Sequence, residues 1–324
     1  MHLFSPRRLH IPAFAFFMAA QALGADPAAE LAAFSAFPKV DLAELGKGKI
    51  LTARSPTMPN LRHLSVQSAY VIRQAAPKTA ELLRNWEGTR HSQLKIYLHG
   101  ALPAKPSPAD FAKLNDAPAA FFKATQTLDL NKTQMSQAEA AKLAQFGREG
   151  KPAAVAFWSD LLAGRAAAFA TGGLARQPPF EGREPVRAGA EVAALLAAQP
   201  KIRDQFASLP AGGVGSGYWN LFDVEGQPHV SLGTVSLRPA GEGTRMLDLR
   251  YYASGGVYTQ LTYHQLWPVD LGGEPATLVW RGDLISSGEL ASLRGVERTG
   301  SGVAMMREVE KTVAAFRKDA GSSR

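Results

Sequence analysis

Apolar residues recur at helical spacing through residues 105–210 and alternate with polar ones through residues 217–285, so a helical middle precedes a strand-rich end. The alternation predicts strands at 217–224, 230–237, 246–253, 257–267 and 276–285. Their junctions are turn-prone: Glu225-Gly226, Gly241-Glu242-Gly243, Ser254-Gly255-Gly256 and Gly272-Gly273. Such short links favour antiparallel hairpins, because parallel strands need long crossovers. Earlier, residues 65–72 and 93–99 have strand character, and Pro77 opens a helix over 78–86. In the middle, Ser136 and Glu139 form a capping-box pattern for a helix running to Phe146. Val155, Trp158, Leu161, Leu162, Ala166 and Phe169 mark a further helix over 152–172, and two more at 190–198 and 201–209 are separated by Pro200. Residues 302–318 close the chain as a helix with an apolar stripe of Met306, Val309, Val313 and Phe316.

The pattern at the start is of another kind. Arg7 and Arg8 precede an apolar run at residues 11–20, and small residues at 22–25 follow. That order is expected of a cleavable secretory signal over residues 1–25, with the cut after Gly24 or Ala25. The run is about half of the roughly 20 apolar residues that span a bilayer. The expectation is a periplasmic or secreted protein whose residues 26–324 form one α+β domain, with no membrane span in the mature part. The chain has no cysteine, so disulfides, thiolate metal sites and cysteine nucleophiles are excluded.

Net charge is +8, two of the positive charges being Arg7 and Arg8. The remaining Lys and Arg are scattered rather than blocked, which fits a solvated basic surface and not a nucleic-acid partner.

The order strand, helix, strand, helical stretch, antiparallel strands, long closing helix resembles the START-like, or helix-grip, superfamily. The residues that carry the likeness are Ser65 to Trp86 and Tyr251 to Phe316. The phrases Tyr251-Tyr252-Ala253-Ser254-Gly255-Gly256, Leu266-Trp267-Pro268-Val269, Val279-Trp280-Arg281-Gly282-Asp283 and Gly295-Val296-Glu297-Arg298 are also similar to those of exported bacterial proteins without an assigned activity. The resemblance implies an antiparallel sheet gripping a C-terminal helix, with residues about 105–210 inserted. It also implies a cavity between sheet and helix for an apolar or amphipathic small molecule.

Chemical motifs are sparse. The histidines beyond residue 25 (His63, His91, His99, His229 and His264) lack the close spacing of metal ligands. Gly212-Gly213-Val214-Gly215-Ser216-Gly217 lacks the Lys-Ser/Thr of a phosphate loop and reads as a hinge or turn. No Gly-x-Ser-x-Gly nucleophile elbow occurs, no catalytic set is assigned, and neither a metal nor a cofactor is expected.

The strand at 257–267 is more informative. Alternation places Val257, Thr259, Leu261, Tyr263, Gln265 and Trp267 on one face, and Tyr258, Thr262, His264 and Leu266 on the other. Both faces are partly apolar, so both are expected to be covered. Asp248, Arg250 and Tyr252 share a face of one neighbouring strand, and Arg281 and Asp283 share a face of another. Candidate ligand-binding residues are therefore Asp248, Arg250, Tyr252, Tyr258, His264, Trp267, Arg281 and Asp283. The alternative for the charged ones is a set of ion pairs on an exposed sheet face. Aromatic residues concentrated in the strands serve as core or as a ligand wall. Three functions stay open: binding an amphipathic small molecule such as a lipid, hydrolase or isomerase chemistry by His264, Asp248 and Asp283, and an envelope interaction module presenting an apolar patch.

Overall fold

The computed structural model describes residues 26–128, 133–146, 149–181, 185–209, 211 and 215–322. The expected signal segment lies outside the described residues, as do Gly212, Gly213 and Val214 of the glycine-rich run. The strands are β1 (Leu51–Arg54), β2 (His63–Ile72), β3 (Ile96–Leu102), β4 (Ser216–Val224), β5 (Gln227–Ala240), β6 (Gly243–Ala253), β7 (Thr259–Asp270) and β8 (Pro275–Ser286). The helices are α1 (Pro27–Phe34), α2 (Leu42–Gly46), α3 (Ala76–Arg84), α4 (Ala119–Gln126), α5 (Gln137–Phe146), α6 (Lys151–Gly172), α7 (Ala188–Ala197), α8 (Pro200–Gln205), α9 (Gly288–Ser292) and α10 (Gly295–Ser322).

The fold is α+β, built on an 8-stranded antiparallel sheet of order β1-β2-β8-β7-β6-β5-β4-β3. Strands β4 to β8 follow one another as a meander, because their links are tight turns. Between β4 and β5, Glu225 and Gly226 both take positive φ (52° and 86°), the geometry that matches strand twist in a two-residue hairpin. The early strands then complete both edges: β2 pairs with β8, and β3 pairs with β4.

Each face of the sheet has its own cover. On one, Val71, Leu278, Trp280, Leu261, Tyr263, Leu249, Leu232, Trp219 and Leu221 pack against α1 and the helices between β3 and β4. Burial of side chains this large stabilises the fold by roughly 1.5–3 kcal/mol each. On the opposite face, Val66, Tyr70, Ile72, Leu266 and Val279 pack against Val309, Val313 and Phe316 of α10 and Ala80 of α3. The long closing helix thus lies over the β1–β2–β8 side of the sheet.

Local signals explain the helical cover. Ser136 and Glu139 cap α5 reciprocally, Glu139 accepting from the Ser136 amide at 2.7 Å and the Ser136 hydroxyl from the Glu139 amide at 3.3 Å. The same carboxylate receives the buried Arg165 guanidinium through Nε at 2.7 Å and Nη2 at 2.5 Å, tying α5 to α6. Helix α6 is long and apolar enough by composition to cross a membrane. Here it buries Phe157, Trp158, Leu161 and Leu162 within the protein.

Several elements differ from the sequence reading, three of them for a clear physical reason. The strand expected at 93–99 begins at Ile96, since Ser92–Leu94 forms a 3-10 turn and Lys95 takes a left-handed φ of 52°. The short edge strand β1 has no expected counterpart, as four residues are too few for a period to register. The closing helix starts at Gly295 rather than 302, because its first turns are polar and lack the apolar stripe.

Candidate functional site

Directly opposed residues of an antiparallel pair share a face, so the register fixes what lies beneath α3 and α10. Asp283 sits opposite Thr262, and Thr262 opposite Asp248; Arg281 sits opposite His264, and His264 opposite Met246. Arg250 stands opposite Gln260 on β7 and Gly233 on β5, and Gly233 opposite Tyr218 on β4. The result is a polar field across the middle of the sheet, facing the helices.

Between this field and the helices lies a cavity of about 410 Å³. Asp248, Arg250, His264 and Arg281 line its sheet side, together with Tyr70, Tyr218, Asn220, Gln260 and Thr262. Leu83 of α3, Trp86 just after it, Ile96 of β3, and Val313 and Phe316 of α10 give the opposite wall an apolar part, which Arg84, Asn85 and Glu87 border. Asp283 is fully buried beneath Arg281.

The Asp283 carboxylate is saturated. Arg281 donates to it through Nε at 2.6 Å and Nη2 at 2.8 Å, Thr262 Oγ1 at 2.8 Å and Gln260 Nε2 at 3.3 Å. Burial alone would raise its pKa, but the Arg281 charge and these hydrogen bonds hold it below the usual carboxylate range. Asp248 behaves in the opposite way. Burial raises its carboxyl above the ordinary value, and a 2.6 Å hydrogen bond from the Tyr218 hydroxyl opposes this only in part.

Tyr218 reaches Asp248 by lying across Gly233: a methyl group there would stand 2.3 Å from the ring. Burial, followed by the charge of Asp248, pushes the Tyr218 hydroxyl well above its usual pKa. Its proton therefore stays on Tyr218, which acts as the donor.

His264 is unusual in this setting. Neither ring nitrogen has a hydrogen-bond partner among the described residues, although both are buried. Burial, reinforced by the charge of Arg281, lowers its pKa to about 3, so the ring is neutral at physiological pH. Arg250 extends over the Phe222 ring at 4.6 Å and donates from Nη1 to Gln260 at 3.0 Å. Its buried Nε has no partner among the described residues.

The structure thus brings Asp248, Arg250, His264, Arg281 and Asp283 to one face. The Arg281–Asp283 pair belongs to a buried network, not to an exposed sheet face. Three other expected residues lie elsewhere. A β-bulge at Tyr251, where Leu232 pairs with Tyr252 and Gly233 with Arg250, turns Tyr252 to the opposite face. There its ring lies under the Arg165 guanidinium at 4.3 Å. Tyr258 precedes β7, so strand alternation does not govern it, and it stacks on Phe180 at 5.9 Å. Trp267 also belongs to the opposite core, where its indole donates to Glu30 at 2.8 Å and meets Phe34.

Sequence reasoning missed Tyr218, Gln260 and the contribution of Leu83 and Trp86 to the wall, while Val313 and Phe316 were named as the apolar stripe of the closing helix. Tyr218 was readable in principle, because alternation from Asn220 puts it on the cavity face. As an acid–base set, His264, Asp248 and Asp283 are poorly matched: Asp283 is committed to Arg281, and His264 takes up a second proton only in acid. Among the described residues, no three His, Asp or Glu side chains converge as a metal-ligand group.

A larger cavity, of about 750 Å³, opens on the other side of the sheet, between α7, α8 and Tyr263. Its wall is chiefly aliphatic (Leu174, Val192, Leu196 and Leu209 among others), with Gln177, Arg187, Arg203 and Asp204 as its polar groups. Comparison with known sequences gives no matching family model and no matching curated protein.

Proposed function

We propose that this is an exported protein that binds an amphipathic small molecule in the cavity between the sheet and α10. The observation that carries the reading is one cavity that combines a polar floor (Asp248, Arg250, His264, Arg281) with an apolar patch opposite it (Leu83, Trp86, Val313, Phe316), bordered by Arg84, Asn85 and Glu87. Specific small-molecule sites have this make-up, with extensive apolar contact and a few placed polar groups that fix orientation. A cavity of about 410 Å³ falls within the usual size range of such sites, roughly 300–1,000 Å³. Unpartnered nitrogens on His264 and Arg250 strengthen the reading, since buried polar atoms normally find partners.

The helix-grip resemblance leads to the same location, and the leader-like first 25 residues support a site of action outside the cytoplasm. The test is native mass spectrometry of the protein purified from the compartment in which it accumulates, followed by organic extraction. A reproducible bound molecule with a polar end and an apolar tail supports the proposal. A strictly polar ligand, such as a sugar or nucleotide, counts against it.

A further inference from the structure

Resting on that binding function, we infer that the ligand's polar end is a single carboxylate, seated against Arg250, with an aliphatic tail running under Trp86, Val313 and Phe316.

Arg281 and Asp283 neutralise each other on the cavity floor through two hydrogen bonds, and His264 is neutral. The opposite wall adds one charge of each sign, Arg84 and Glu87. Arg250 is the cation left on the sheet side. Among the described residues its side chain's hydrogen bond goes to the uncharged Gln260, although Asp248 stands two positions away on the same strand face. Asp248 is instead engaged by Tyr218.

Stacking on Phe222 and the bond to Gln260 fix the guanidinium plane, while Nε and Nη2 hold no partner among the described residues. A planar guanidinium edge with two adjacent N–H donors matches a carboxylate bidentately. The pre-set plane lowers the ordering cost of binding. A dianionic phosphate fits less well, because Asp248 lies beside the guanidinium and would repel a second charge. The raised pKa of the Asp248 carboxyl suits it to tolerate one incoming anion. The Trp86 and Phe316 rings meet edge to face at 5.6 Å and supply the apolar surface for a tail.

The experiment is calorimetric titration of the full mature chain with decanoate and with decanol, which share a chain length and differ in head group. Wild-type protein is expected to bind decanoate at least tenfold more tightly. Arg250→Gln is expected to remove that preference while still binding decanol, which also shows that the variant is folded. Decyl phosphate is expected to bind more weakly than decanoate. Equal affinity of the wild type for acid and alcohol, a preference for the phosphate, or an undiminished acid preference in Arg250→Gln would each overturn the inference and leave amphipath binding standing. Binding of none of the three probes would remove the binding function itself.

Discussion

Replacing His264 with leucine tests the electrostatic description of the cavity floor. Most buried histidines donate or accept a hydrogen bond, and their loss destabilises. His264 has two buried ring nitrogens without partners among the described residues, and each such group costs about 1–3 kcal/mol in lost hydration. An apolar side chain of similar bulk removes that cost, so at about pH 7.5 the variant is expected to match or exceed wild-type stability.

The pH dependence is the sharper part. The folded-state pKa of His264 is about 3, against 6.5 for an ordinary histidine. Between those values the unfolded chain binds the proton and the folded chain does not, so wild-type stability falls as pH falls. The slope is about 1.4 kcal/mol per pH unit once pH is below the unfolded value, which gives a loss of about 2 kcal/mol at pH 5. His229, whose pKa burial also lowers, acts in the same direction, but it is present in both proteins and cancels in the difference. Urea unfolding at about pH 7.5, 6 and 5 measures both. The stability difference in favour of His264→Leu should widen by about 2 kcal/mol across that range. A pH-independent difference, or a variant less stable than wild type at every pH, would refute the reasoning.

Other substitutions follow from named contacts. Asp283→Ala leaves Arg281 without its carboxylate and should cost about 3–5 kcal/mol in urea unfolding. Glu191→Gln weakens a buried junction in which the carboxylate meets His63 at 3.0 Å, Ser286 at 2.5 Å and Arg62 at 3.2 Å, and should cost about 1–3 kcal/mol near neutral pH. Burial would raise the Glu191 pKa, but those partners lower it on balance, so this contribution is lost as pH falls from 4.5 through the folded-state value, and the variant's deficit should shrink in acid. Trp267→Ala should cost about 3–5 kcal/mol while leaving decanoate affinity unchanged, because the indole packs in the opposite core.

Legibility in the sequence followed the range over which each signal acts. The meander was readable because period-two alternation and glycine-bearing turns are local. Those same signals put Asp248 with Arg250, and Arg281 with Asp283, since β6 up to Arg250 and β8 through Asp283 run without interruption. Alternation failed at Tyr252, where one extra residue at the Tyr251 bulge reverses the face, and nothing in the local residues marks that insertion. It failed at Tyr258 because β7 begins one residue later. Trp267 was assigned correctly to the face opposite His264, yet it was grouped with the cavity residues for its aromaticity alone. The apolar stripe of α10 was legible from its spacing, but its pairing with Trp86 was not. Trp86 and Phe316 meet only after the chain has folded around the whole sheet, a long-range event with no local pattern.

The most direct test of the account is a crystal structure of the protein in complex with decanoate. The account predicts an elongated ligand between the sheet and α10, with its tail along Trp86, Val313 and Phe316 and its carboxylate at Arg250. A ligand lodged instead between α7, α8 and Tyr263, with side chains closing the space over His264, would contradict it.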